Sequence, residues 1–181
     1  MTGPNAAILF RELVKHAEDD CGVQVISKNT YYAFWKTLDI LLKIISFGKM
    51  TTFMTRFTTT IGPIIAFPVG WTPDRPNAYD YVTLRHELKH VEQYHTVGLG
   101  NIWLGTILAG IAYLLLPFPV LFAWFRYKME REAYKESYYA AKECGYTPDV
   151  RDYVNNLTGS SYLWTWYSKS SVSNWFNKHC T

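Results

Sequence analysis

The pentapeptide His86-Glu87-Leu88-Lys89-His90 constrains this chain more than any other stretch. Residues four apart share a helix face, so a helix through it aims both imidazoles at one point. Glu87 lies about 100° around the axis, close enough to reach a water at that point without being a ligand. A fold built on such a helix must bring a third metal ligand to it from elsewhere in the sequence.

The chain has 181 residues, enough for one domain with a real core, and 1–181 reads as a single unit. Hydrophobic residues make up 49% and aromatics 17%, which excludes a disordered chain. The net charge of +3 is scattered rather than clustered, so nucleic acid is not an expected partner. Cys21, Cys144 and Cys180 are odd in number and form no CxxC pair. They suggest three reduced thiols, not a disulfide framework or a cysteine zinc site. Arg11 and Glu12 interrupt the apolar run at 6–10, and no basic region precedes it. The expectation is a cytoplasmic chain without a signal peptide.

Periodicity sets the elements. Residues 4–20 read as an amphipathic helix striped by Ile8, Leu9, Leu13 and Val14 and ended by Gly22. Residues 23–27 alternate like a short strand. Residues 31–47 are again helical, with Phe34, Trp35, Leu38, Leu41, Leu42 and Ile45 on one side and Gly48 as the stop. Across 51–69 β-branched and aromatic residues dominate, and Gly62-Pro63 marks a turn between strands. Pro73 and Pro76 make 71–78 a loop, after which a helix carries the pentapeptide. A second long helix runs from Pro119 to about Cys144, with Gly145 as its stop. The fold class is α+β and mostly helical. Residues 146–181 alternate polar with aromatic (Tyr162, Trp164, Trp166, Tyr167, Trp175, Phe176) and should wrap back on the domain.

Residues 96–125 contain no Asp, Glu, Lys, Arg or His. About 20 apolar residues suffice to span a bilayer, and two spans would need about 40. If both flanks are to meet at one metal, the segment must leave and return on the same side. A buried hairpin of helices broken at Pro117 and Pro119 meets that condition. A patch dipping into one leaflet, with membrane contact through 99–125, is the other solution.

A metzincin would place its third ligand His six residues after His90, but Thr96 stands there and the required Gly is absent. His95 falls about 180° from His86 on the wheel, beside Leu84, Leu88 and Val91, and reads as a core or boundary histidine. The second helix offers Glu130 and Glu132. Glu130 shares its face with Ala123, Arg126, Ala133, Tyr134, Ser137 and Ala141, whose small members permit close helix approach. Glu132 falls with Lys128, Lys135, Lys142 and Glu143, an ordinary solvated face. Glu130 is therefore the expected third ligand.

His-Glu-Leu-Lys-His-Val-Glu-Gln-Tyr, an apolar stretch, and then Phe-Arg-Tyr-Lys-Met-Glu-Arg-Glu-Ala-Tyr resemble the gluzincin metallopeptidases. The likeness covers roughly residues 55–145 and is similar to small phage and bacterial HExxH proteins. It implies a zincin-like fold, with a small antiparallel sheet over the HExxH helix and a second helix carrying the glutamate. It implies Zn2+ on His86, His90 and Glu130, with Glu87 as catalytic base. It further implies that 60–68 is the edge strand over the catalytic helix, which pairs with an extended peptide. Many gluzincins carry Asp four residues after the ligand Glu, where this chain has Tyr134.

The resulting expectation is a zinc-dependent metallopeptidase acting on a peptide or protein substrate. Glu87 would take a proton from water and deliver it to the leaving amine, and Tyr134 or Arg126 would stabilise the oxyanion. The aromatic tail and uncharged segment also suit a structural component of a larger assembly. A phage virion is one such setting, with protein partners and a vestigial or stabilising zinc site. A third reading is a membrane-associated protease anchored through 99–125.

Overall fold

The computed structural model describes residues 4–48, 50–114, 122–159 and 167–180. The described elements are α1 (Pro4–Asp19), β1 (Gln24–Ser27), α2 (Tyr32–Ile45), α3 (Phe53–Arg56), β2 (Thr59–Ile61) and β3 (Ile64–Phe67), followed by α4 (Ala78–Val97), α5 (Ile102–Leu114), α6 (Phe122–Glu143), α7 (Val150–Thr158) and α8 (Lys169–His179). The class is α+β and mostly helical, as the periodicity requires.

The three strands run in the order β1-β3-β2. β2 and β3 form the antiparallel hairpin expected around Gly62-Pro63, with Ile61 paired to Ile64. β1 joins β3 in parallel, Val25 opposite Ile65. The sheet is therefore mixed, which corrects the expectation of an antiparallel one. A parallel partner must arrive through a crossover, and α2 with α3 supplies it. The stretch 51–69 is likewise not all strand, because it opens with α3. Of the expected edge strand 60–68, residues 60–61 lie in the edge strand β2 and 64–67 form the central strand β3.

Successive side chains of β3 point to opposite layers. Ile65 and Phe67 enter a core with Phe10 of α1, Leu84 and Val91 of α4 and Ala140 of α6. Ala66 and Ile64 enter a second core under α2 and α3, with Trp35, Phe53 and Met54. Both layers thus close on one strand, and burying each large residue contributes about 1.5–3 kcal/mol. A third cluster joins Tyr127 and Tyr138 of α6 to Val154, Leu157, Val172 and Phe176 of α7 and α8. α7 and α8, the described helices of the tail, pack on α6, and both are capped. Tyr162, Trp164 and Trp166 lie outside the described residues.

α4 begins with a capping box. Asn77 Oδ1 accepts from the backbone N–H groups of Tyr79 and Asp80, and Asp80 returns a bond to Asn77 N at 2.8 Å. Trp71 Nε1 donates to the other Asp80 oxygen at 3.1 Å, tying the proline loop to the helix start. α4 ends at Gly98, and the chain bends by 100° into α5. The bend is tight enough that a Cβ on Gly105 would collide with the Tyr94 carbonyl. α5 buries Gly105 and Ala109 but leaves Trp103, Leu104, Ile107, Leu108 and Ile111 exposed. α5, the described helix of the uncharged segment, is thus buried on one face only, which corrects the expectation of burial for that part of the hairpin. Its break at Pro117 and Pro119 lies outside the described residues. No single described helix is long and apolar enough to cross a membrane.

Lys28 closes the end of β1. Its ammonium is buried and donates to the carbonyls of Phe53 and Phe57 at 2.8 and 2.7 Å, 3.7 Å from the Phe53 ring centroid. Burial lowers its pKa to about 8, against the pull of Glu87 and Asp39. Between pH 8 and the ordinary value of 10.5 the unfolded chain keeps a proton that the folded chain releases. Stability from this group therefore rises with pH across that window. Thermal melts should show this rise, and Lys28→Met should flatten it. Gly105→Ala should cost about 1–3 kcal/mol by overpacking. Gly110→Ala, where a Cβ meets nothing within 4 Å, should be neutral or gain up to about 1 kcal/mol.

Candidate metal centre

Bonds between α4 and α6 set the site's register. Tyr81 and Arg85 reach Glu143, and Arg85 also bonds Glu136 at 2.9 Å. His86 meets Ser137, and Gln93 donates to the Met129 carbonyl at 2.9 Å. As numbers rise along α4 they fall along α6, so the two helices run antiparallel. The small residues of α6 lie at this seam: Ala133, Ser137, Ala140 and Ala141 are all buried.

That register brings His86, His90 and Glu130 together. Their ligand atoms all lie within 4.8 Å of one another. His86 Nε2 stands 3.5 Å from Glu130 Oε2, and His90 Nε2 stands 3.6 Å from Glu130 Oε1. Two ligands about 2.0–2.1 Å from an ion, at the tetrahedral angle, stand about 3.4 Å apart. The two His–Glu130 separations are close to that value.

The other imidazole nitrogens make the same point chemically. His86 Nδ1 lies 3.1 Å from Ser137 Oγ, whose own proton goes to the Ala133 carbonyl. Ser137 therefore accepts, and His86 donates from Nδ1. His90 Nδ1 faces the amide oxygen of Gln93 at 2.9 Å, and that amide's NH2 is committed to Met129 O. Nδ1 of each ring thus faces an acceptor, and Nε2 of each faces the Glu130 carboxylate. The pair of imidazoles and the carboxylate stay together when a cation or protons lie between them, and a hydrogen bond at Nδ1 orients a histidine that ligates through Nε2. Burial opposes charge on His86, but Glu130 and then Glu87 outweigh it and raise its pKa. The donor set, two imidazoles and a carboxylate, can hold a divalent transition metal.

Glu87 is buried beside this cluster and accepts a 2.6 Å hydrogen bond from Thr60 Oγ1. The edge strand β2 thereby holds the carboxylate that the motif places between the two histidines. Tyr94 stacks on His90 with ring centroids 6.4 Å apart and points its hydroxyl at the Thr60 carbonyl, 3.5 Å away. Burial raises its pKa above the ordinary phenol value, and Glu87 and Glu130 raise it further, so it remains a proton donor. Tyr134 packs edge-on against His86 at 4.9 Å. Arg126 is buried on the face of α6 that carries Glu130.

Glu132 is outside the cluster and half-buried beside Arg131. His95 is also outside it, but it is exposed near the Gly100 carbonyl instead of in the core, which corrects that expectation. Sequence reading missed Ser137 as a partner of His86, although it had placed that residue on the Glu130 face. It also missed Gln93, one turn after His90, together with Thr60 and Tyr94. No protein-family model, curated protein or solved structure matches the chain.

Metal analysis should find one ion per chain, lost in Glu130→Ala and retained in Glu132→Ala. Ser137→Ala frees the His86 tautomer and should weaken binding by about 10–100-fold in a chelator competition.

Proposed function

We propose that the chain is a zinc-dependent metallopeptidase of zincin-like fold, with Zn2+ held by His86, His90 and Glu130. One observation carries this reading: the Nε2 atoms of His86 and His90 converge on the Glu130 carboxylate beside a second buried carboxylate, Glu87. The same donor set also suits Fe(II). A glutamate placed between the two histidines is a feature of proton transfer, and this favours hydrolysis. Zinc at such a site polarises water and a substrate carbonyl at neutral pH.

The protein's own groups do the rest. Glu87 takes the proton of the attacking water and returns it to the leaving nitrogen, work worth about 10²–10⁴-fold in rate. Thr60, donating to one oxygen of Glu87, fixes the carboxylate's direction and leaves the other oxygen for that proton. Tyr134 and Tyr94 each pack a ring against a ligand imidazole. Tyr134 is assigned to the developing oxyanion, and Tyr94 is a second phenol able to donate there. β2 pairs on one side only among the described residues, so its outer edge suits an extended peptide added as a further strand.

Glu87→Gln separates binding from chemistry. It should keep the metal and lower peptide hydrolysis by about 10²–10⁴-fold, measured on a diverse fluorogenic peptide library. Equal hydrolysis by wild type and Glu87→Gln would overturn the assignment of Glu87 as the base.

A further inference from the structure

α5 divides cleanly into two faces. Gly105 and Ala109 are buried, whereas Trp103, Leu104, Ile107, Leu108 and Ile111 form an exposed stripe along the other side. α2 has the same character, with Ile40, Leu41, Ile44 and Ile45 each about half exposed or more. The hairpin turn lies against α5, and its flanking strands share a core cluster with α2. Trp103 lies against Gly62, whose Cβ would come within 2.7 Å of the indole, and Gly62 N donates to Thr106 Oγ1 at 3.1 Å. Ile61 and Ile64, on either side of that glycine, pack into the core beneath α2. Exposed apolar area on this scale marks an interaction surface.

The charges around it choose the occupant. Among the described residues of 22–73, Lys36, Lys43 and Arg56 reach the surface, Lys28 is buried, and Asp39 is the only acid. Asp39 is buried and already bonded by Lys36 and Lys43, at 2.9 and 2.8 Å. Residues 96–125 have no ionisable acid or base, and the other carboxylates lie in 12–20 or beyond 73. A protein partner of ordinary kind would meet charges of mixed sign, whereas the surface cations Lys36, Lys43 and Arg56 outnumber the one buried acid, Asp39, on this stretch of chain. Trp103 and Trp124 are both half exposed, and the Lys128 ammonium sits 5.2 Å from the Trp124 ring centroid. Tryptophan beside lysine is the pattern of a membrane–water boundary. At about 1.5 Å per residue, α5 reaches about 20 Å, short of a bilayer's roughly 30 Å core, so it suits lying in the interface.

We propose that the apolar faces of α2 and α5 dock on an anionic lipid surface. α5 follows α4 directly through the 100° bend, so docking holds the helix bearing His86 and His90 beside the membrane. The docking does not rest on the metal chemistry and is tested without it.

The test is flotation of the full chain with vesicles. The probes are equal parts phosphatidylcholine and phosphatidylglycerol, compared with phosphatidylcholine alone. Wild type should float with the anionic vesicles, less with the neutral ones, and less as salt is raised. Ile107→Glu on α5 and Ile44→Glu on α2 should each lower the bound fraction at least tenfold, with thermal melts by circular dichroism unchanged. Absence of flotation, or flotation that neither substitution alters, overturns the proposal. So does a wild-type dimer that Ile107→Glu converts to monomer without any vesicle binding, because the face would then be covered by a second copy.

Discussion

A buried carboxylate has to be satisfied, and much of this architecture serves that need. Glu130 lies on a helix seam from which water is largely excluded. α4 presents His86 and His90 to it at 3.5 and 3.6 Å, so the two helices must meet in a register that places both imidazoles opposite the carboxylate. The Arg85 bonds to Glu136 and Glu143 are partly exposed and contribute modestly to stability. They are more useful as pins of that register. Backing for α4 comes from α1 and β3, and backing for α6 from α7 and α8.

The cluster of His86, His90 and Glu130 was legible because its members obey helix periodicity. Choosing Glu130 over Glu132 needed only the wheel and the run of small residues on one face, and the seam contains those residues. The same reasoning had put Ser137 on that face, one step from naming it as the partner of His86. The Asn77–Asp80 capping box is a local signal too, and it starts the helix where the proline loop ends.

Much of the remainder depends on pairings distant in sequence. Nothing within residues 23–27 tells a parallel neighbour from an antiparallel one, and that choice is made by the crossover through α2 and α3. Thr60 is 27 residues from the Glu87 it bonds, and Gln93 acts through a backbone carbonyl on another helix. α5 deceived for a different reason. Its composition fits burial on all sides, yet among the described residues only one side has a neighbour, and hydropathy does not count neighbours.

The tail was expected to be a wrap, and its aromatic contacts give that wrap a role. The His86 ring meets Tyr134 at 4.9 Å, Tyr134 meets Tyr153 at 4.9 Å, and Tyr153 meets Phe176 at 5.8 Å. A continuous relay of rings therefore runs from the proposed first ligand to the last helix, crossing α6, α7 and α8. The C-terminal helices thus buttress the face of His86 through Tyr134 and Tyr153, so the tail is packed behind the candidate centre and not apart from it.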